Sequence, residues 1–195
     1  MQIRKENPTL EQAAPLVAEG FVQPISPELI EDTRQHLRAG DFAYSIFEDK
    51  TLGGFAVFRL LPNNILMLIG MMLGKNLQGR GIAGQVIKAA QQEYNCEYLA
   101  LRTQSPRMWL AARKLCNLWF PHSDNGGLPA QFAAIAETIR ENLGDKFCYP
   151  LVPYCYGQPL YGAKPIYRNP AVQSWWDSIC DLERGDAVLC IGKFI

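Results

Sequence analysis

The stretch Gln78-Gly79-Arg80-Gly81-Ile82-Ala83 has the residue types and spacing of an anion-binding loop. Gly79 and Gly81 carry no side chain, so the backbone there can approach a ligand closely. The apolar-periodic run that follows predicts a helix from about Gly81 to Tyr94. The first N–H groups of a helix have no intrahelical partner, and the helix dipole favours negative charge beside them. A diphosphate suits that arrangement. Arg80 would add a charge-assisted contact, and Ala83 and Gly84 keep the helix start slim. A Walker loop would end in Gly-Lys-Ser/Thr, whereas this one ends Gly-Ile-Ala. Gly79 to Gly84 satisfies the Rossmann string G-x-G-x-x-G literally. However, the preceding strands read as antiparallel hairpins, and Arg102 and Thr103 stand where that motif wants an acidic residue. The plainer alternative is a turn with a small-residue helix start.

The elements that must position this loop are legible in the periodicity. Thr9 and Gln12 fit a capping box for a first helix, which Pro15 is expected to interrupt or restart. Ser26-Pro27 opens a second, with Leu29, Ile30, Thr33 and Leu37 on one face and Gly40 as its stop. Phe42 to Phe47, Phe55 to Leu60 and Ile65 to Leu73 read as three strands, with turns at Asp49-Lys50-Thr51 and Pro62-Asn63-Asn64. The third strand is apolar almost throughout, which predicts burial on both faces. After the loop and its helix come a strand, Tyr98 to Thr103, and a helix opened by Ser105-Pro106. Met108, Ala112, Leu115 and Trp119 lie in phase on it. His122 to Pro129 reads as a loop and Ala130 to Asn142 as a helix. Cys148 to Pro170 reads as an irregular segment with five of the eight tyrosines: Tyr149, Tyr154, Tyr156, Tyr161 and Tyr167. A last helix starts at Asn169-Pro170, and Ala187 to Phe194 closes as a strand. The expected fold class is α/β (α+β): a mixed, mostly antiparallel central sheet flanked by helices. A long aromatic-rich insertion, about 121 to 185, precedes the last strand. No internal repeat is present, and residues 1–195 read as one domain.

The string Gln78-x-x-Gly81-x-Ala83 resembles the coenzyme A signature of the GNAT superfamily of N-acyltransferases. The order of elements resembles that fold too. Ser105-Pro106-Arg107-Met108-Trp109-Leu110-Ala111-Ala112-Arg113-Lys114-Leu115 is similar to a helix that often opens Asn-Pro-Arg and closes Tyr-Arg-Lys-Leu in the family. The resemblance covers about residues 5 to 120, plus Asp186 to Phe194. It implies a sheet that splays beside the strand entering the loop, with Gln78, Gly79, Arg80, Gly81, Ile82 and Ala83 on the pyrophosphate. It implies pantetheine along Met71, Met72 and Leu73, where a backbone N–H near Met72 or Leu73 polarises the thioester. The Ser105 hydroxyl would bond pantetheine where an asparagine is common. The co-substrate implied is acetyl-CoA or another acyl-CoA. The acceptor implied is a small-molecule or peptide primary amine, seated under the aromatic insertion.

Two family features are missing. Ala112 stands where a tyrosine usually protonates the leaving thiolate, and Ile65 to Leu73 carries no carboxylate to act as base. His122, whose ordinary pKa suits a base near neutrality, and Tyr149 are the candidate replacements; Tyr154, Tyr156 and Tyr167 are further lining candidates. For each, the plainer reading is a loop histidine or a packed tyrosine. Glu48 and His36 read as solvated surface residues. Asp177, Asp181 and Glu183 would either attract a cationic amine or simply end a helix in solvent. Loss of both proton-handling residues also fits a catalytically degenerate domain that binds coenzyme A as a sensor or interaction module.

Composition narrows the class further. Nineteen Lys and Arg balance nineteen Asp and Glu, so no basic excess points to nucleic acid. The longest charge-free stretches are too short for a membrane span, which needs about 20 apolar residues. Met1 to Pro8 lacks the apolar core of a signal peptide, so the expectation is a soluble cytoplasmic protein with reduced cysteines. The six cysteines form no CxxC pair and only two histidines accompany them, so no metal site is expected. Oligomeric state is left open, a dimer being compatible with the sequence.

Overall fold

The computed structural model describes residues 1–123, 127–144 and 149–195. Asp124, inside the expected His122 to Pro129 loop, and Cys148, the first residue of the expected irregular segment, lie outside them. In chain order the elements are β1 (Gln2–Lys5), α1 (Leu10–Phe21), α2 (Pro27–Ala39), β2 (Phe42–Glu48), β3 (Thr51–Leu61) and β4 (Ile65–Leu73). A 3-10 turn at Lys75–Leu77 leads to α3 (Ile82–Tyr94), β5 (Tyr98–Thr103), α4 (Pro106–Arg113) and β6 (Cys116–Phe120). Then follow α5 (Ala130–Leu143), β7 (Leu151–Val152), α6 (Pro170–Ile179) and β8 (Ala187–Phe194).

Among the described residues the strands form one sheet in the order β1-β2-β3-β4-β5-β8-β6, with β7 also pairing β8. Every pairing is antiparallel except β4 with β5. This is the mixed, mostly antiparallel sheet flanked by helices that the sequence predicts. Both hairpin turns use residues in the left-handed region, Asp49 and Lys50 (φ 47 and 72) and Asn63 and Asn64 (φ 62 and 56). That backbone twist matches the twist of paired strands. One face of the sheet packs against α3, α4 and α6 through Leu66, Leu68, Val86, Trp109 and Trp176. The other packs against α1 and α2 through Ala14, Val17, Leu29 and Val57, and against α5 through Met67, Phe132 and Ile139.

Three local expectations are corrected, and two short strands, β1 and β7, are added. α1 runs unbroken through Pro15. The proline removes one helical hydrogen bond, but burial of Ala13, Ala14, Val17 and Ala18 offsets that loss. β1 escapes pattern reading because it is a short edge strand of mostly exposed polar residues. The helix opened by Ser105-Pro106 stops at Arg113, and Trp119 lies on β6 instead. Residues 116–120 cover the outer edge of β8, and Gly192 makes room for them: a Cβ there would meet the Trp119 ring at 2.5 Å. The two residues of β7 are too few to leave a period. The third expected strand, β4, is buried on both faces only from Ile65 to Leu68; beyond that point it borders the candidate site.

Candidate functional site

β4 and β5 pair only from Ile65↔Tyr98 to Leu68↔Leu101. Beyond Leu68 the two strands part, and Arg102 and Thr103 keep β8 as their sole ladder partner. A bulge sits at the parting point. Val57 opposes Gly70 and Phe58 opposes Leu68, so Ile69 is an extra residue on β4. Bulges bend the strand that carries them, and this one turns the end of β4 away from β5. The edge of residues 69–73 therefore faces a cleft rather than a strand. Met71, Met72 and Leu73 lie along it; Met72 is buried against α1, and Met71 and Leu73 pack on the α3 side.

β4 leads into the glycine loop. Gly79 and Gly81 both have φ +74, and a Cβ at either would meet nothing within 4 Å. Gly81 is the N-cap of α3 and offers no side-chain cap. The chain makes a turn at residues 78–81, and the N–H groups that open α3 have no side-chain cap. The loop is thus an open cradle of N–H donors at a helix N-terminus, which fits a diphosphate. The Gln78 side chain donates to Leu73 O at 2.9 Å and ties the cradle to the end of β4. Arg80 leans on Glu48 at 2.8 Å and on Asn76 O at 3.3 Å. Glu48 is therefore an ion-pair partner, not the free hairpin-tip carboxylate expected. Ile82 is buried, and Ala83 is half-buried.

On the other side of the cleft, Ser105 caps α4 and accepts from Met108 N at 3.3 Å. Tyr161 bonds the same hydroxyl, and burial raises the tyrosine's pKa. Tyr161 belongs to a strap. Its ring meets Phe21 edge-on at 5.0 Å, Gly162 N donates to Phe21 O at 2.7 Å, and Gln23 Nε2 donates to Leu160 O at 2.8 Å. Arg107 holds Ile166 O at 3.0 Å. A segment attached both to the α1–α2 turn and to the start of α4 must cross the mouth of the β4–β5 cleft. Buried Gln104 secures its root, donating to Asp186 O at 2.7 Å and accepting from Leu160 N at 3.3 Å.

Gly162 sets how closely the strap approaches: a Cβ there would lie 2.2 Å from Val22 O. Gly162→Ala should lift the strap from the α1–α2 turn. Faster amide exchange across residues 159–163, with little change in α3 or α5, is the expected result. Unaltered exchange would show that the strap is held elsewhere.

The two catalytic candidates lie apart from this cleft. His122 follows β6, the far edge strand, and with β5 and β8 intervening the lateral separation from β4 is about 14 Å. Tyr149 lies against α5 near Glu137 and Arg140, with its pKa pushed up to about 12 by burial. Tyr154 is exposed beneath Arg184, and Tyr167 N donates to Gln173. Asp177 pairs with Lys164 at 2.7 Å, and Asp181 accepts from the N–H groups of Glu183 and Arg184. Both carboxylates are thus held by local partners. Ala112 is fully buried, so α4 offers no side chain to the cleft at that position.

His36, which the sequence places on a solvated surface, borders the cleft instead. His36 on α2 lies over Gly70, its Cδ2 3.8 Å from where a Cβ would be. Its Nδ1 is 2.9 Å from Asp32 O and 3.4 Å from the Asp32 carboxylate. The Arg102 charge is felt at His36, and both Arg102 and Asp32 act on half-buried Tyr156. The Asp32/His36 spacing of four was readable as a helix pair; the glycine beneath it was not.

The model of the acetyltransferase (GNAT) family matches residues 10–114. No curated protein matches the chain in sequence. Among solved structures, an aminoglycoside 6′-acetyltransferase type Ii matches with a TM-score of 0.54 at 10% identity, over 100% of this chain and 98% of its own. A protein from Desulfovibrio desulfuricans assigned to the GNAT acetyltransferases matches with a TM-score of 0.50 at 10% identity, over 98% of both chains. A GNAT acetyltransferase from Elizabethkingia anophelis, solved with acetyl-CoA bound, reaches 0.47 at 14% identity, over 99% of this chain and 97% of its own. For the first two, at 10% identity, the likeness is one of fold.

Proposed function

This chain belongs to the acetyltransferase (GNAT) family, and on that premise we propose that it transfers an acetyl or other acyl group from acyl-coenzyme A to a primary amine. The observation that carries the reading is the continuity of cradle and cleft. The glycine turn and the uncapped N-terminus of α3 follow directly from the β4 edge that parts from β5. A diphosphate on the cradle would lead its pantetheine arm along Met71 to Leu73, toward the bulge at Ile69. The thioester carbonyl would there meet a backbone N–H that is already oriented, which stabilises developing negative charge without rearrangement. The Ser105 hydroxyl is engaged as a cap, so its role toward pantetheine would be secondary. The strap of residues 155–167 forms the acceptor side, and a single domain of residues 1–195 contains the whole site.

The test is thioester turnover. Coenzyme A release from acetyl-CoA should depend on an added amine, across a panel running from alkylamines to aromatic amines and short peptides. Tight acetyl-CoA binding without turnover of any acyl donor would instead favour a sensor or interaction module. No binding at all would remove the reading.

A further inference from the structure

We propose that His36, oriented by Asp32, is the general base that takes the proton from the attacking amine. The proposal rests on the acyl-transfer reading above and goes beyond it by naming the residue that fills the gap left on β4. Three observations converge on it. The bulge puts Ile69 and Gly70 side by side where β4 leaves β5, so this is the part of the strand that borders the reacting centre. Gly70 has no side chain, and the edge of the His36 ring that carries Cδ2 lies over it. The ring is turned the useful way. Nδ1–H donates back to Asp32 O at 2.9 Å, so the neutral ring has its lone pair on Nε2, the atom bonded to Cδ2. Among the described residues Nε2 has no hydrogen-bond partner, and the side chain is about one-third exposed.

The face on which His36 sits is distinct from the cradle side. Leu66 and Leu68 point toward α3 and α4, whereas His36 lies on the α2 side, along with Arg102 by strand alternation. An acceptor arriving from the α2 side, beneath Tyr156 and the strap, meets Nε2 before it meets the donor. The step balances simply. The amine lone pair forms the N–C bond to the thioester carbon, an N–H proton passes to Nε2, and the C–S bond breaks with its electrons on sulfur. The imidazolium then returns the proton to the thiolate, directly or through water. Amide and free thiol are the products, and the enzyme is unchanged.

The charges facing the ring are Asp32 on α2 and Arg102 on β5. The hydrogen bond to Asp32 outweighs burial and the Arg102 charge, so the imidazole titrates above its ordinary value. The base form therefore appears as pH rises, and turnover should climb through a point above the ordinary histidine value. Removing the Asp32 charge should move that point down.

The test compares the wild-type chain with His36→Gln and Asp32→Asn, using acetyl-CoA and the best amine of the panel. His36→Gln should bind acetyl-CoA within about twofold of wild type yet lose roughly 100-fold or more in kcat/KM, together with the ascending limb of the pH profile. Asp32→Asn keeps the backbone carbonyl that holds Nδ1, so it should lower kcat/KM less than His36→Gln does and shift that limb to lower pH. Wild-type kcat/KM and an unmoved profile in His36→Gln would overturn the proposal. So would a loss equal at every pH, which marks a packing role. An inactive wild-type chain would indict the acyl-transfer reading instead. A second readout needs no variant of His36. The chain has two histidines, so two imidazole NMR titrations suffice, assigned with His122→Asn. The His36 signal should titrate above the ordinary value and shift when acetyl-CoA is added; a signal indifferent to acetyl-CoA would overturn the assignment.

Discussion

Replacing Gly81 with valine should lower acetyl-CoA affinity by 100-fold or more while the chain remains folded. Gly81 holds φ 74 and ψ 8, which costs an L-residue about 1–2 kcal/mol and a β-branched one more. The loop can relieve that strain only by leaving the left-handed region, and doing so turns the N–H groups of Ile82 and Ala83 away from their common focus. If the loop does not relax, the valine methyls occupy the open space where the diphosphate would lie. Either outcome removes the cradle. Fold stability should fall by that backbone strain and no further, because nothing lies within 4 Å to clash with. Gly144 supplies the control. It also has positive φ (67) and open surroundings, but it ends α5. Gly144→Val should carry similar strain without touching affinity. Calorimetric titration with acetyl-CoA separates the cases, and unchanged affinity in Gly81→Val would end the loop assignment.

Removing the Asp186 carboxylate should be the most destabilising single change near the site. The side chain is fully buried. It accepts from Tyr154 N at 3.1 Å and Asp181 N at 3.3 Å and pairs with Arg184. Asp186→Ala leaves two partly buried backbone donors without their acceptor and Arg184 without its partner, a loss of about 3 kcal/mol, or roughly 10 °C in melting temperature for a chain of this length. The acid limb gives a sharper signature. Burial alone would push the carboxyl up, but the Arg184 guanidinium and the two N–H groups more than offset it and hold it below its ordinary value. A depressed folded value stabilises the fold above the unfolded carboxylate range, and that contribution is lost as pH falls through the folded value. The melting-temperature gap between wild type and Asp186→Asn should therefore be wide at neutral pH and close in acid. A gap independent of pH would show that the charge contributes nothing. Because Asp186 organises the turn at Tyr154 and the 181–184 corner, the alanine variant should also free the root of the strap.

What the sequence made legible were features set by neighbours along the chain. The capping residues Thr9, Ser26, Ser105 and Asn169 all begin the helices expected of them, since a cap depends on the next three residues. The glycine loop was legible for the same reason. Features set by pairing were not. β6 follows α4 with no breaker, and its identity as a strand depends on an open edge of β8 some 70 residues later. The importance of His36 depends on a glycine 34 positions away on another element. Its own helix placed it plainly on the polar side, and only tertiary packing puts a strand beneath it. Glu48 likewise reads as solvated until Arg80 is brought beside it.

The bulge at Ile69 behaves like a dislocation in a crystal. Before it, even-numbered residues of β4 (Leu66, Leu68) face α3; after it, odd-numbered ones (Met71, Leu73) do. Met72 reaches α1 only because of this change of phase. Such a defect is fixed by how many residues the strand contains rather than by which ones they are. Substitution at Ile69 leaves the count intact, whereas deleting it would restore an unbroken register with β3 and remove the bend that parts β4 from β5. The cleft is therefore tolerant of changes in spelling and intolerant of changes in length.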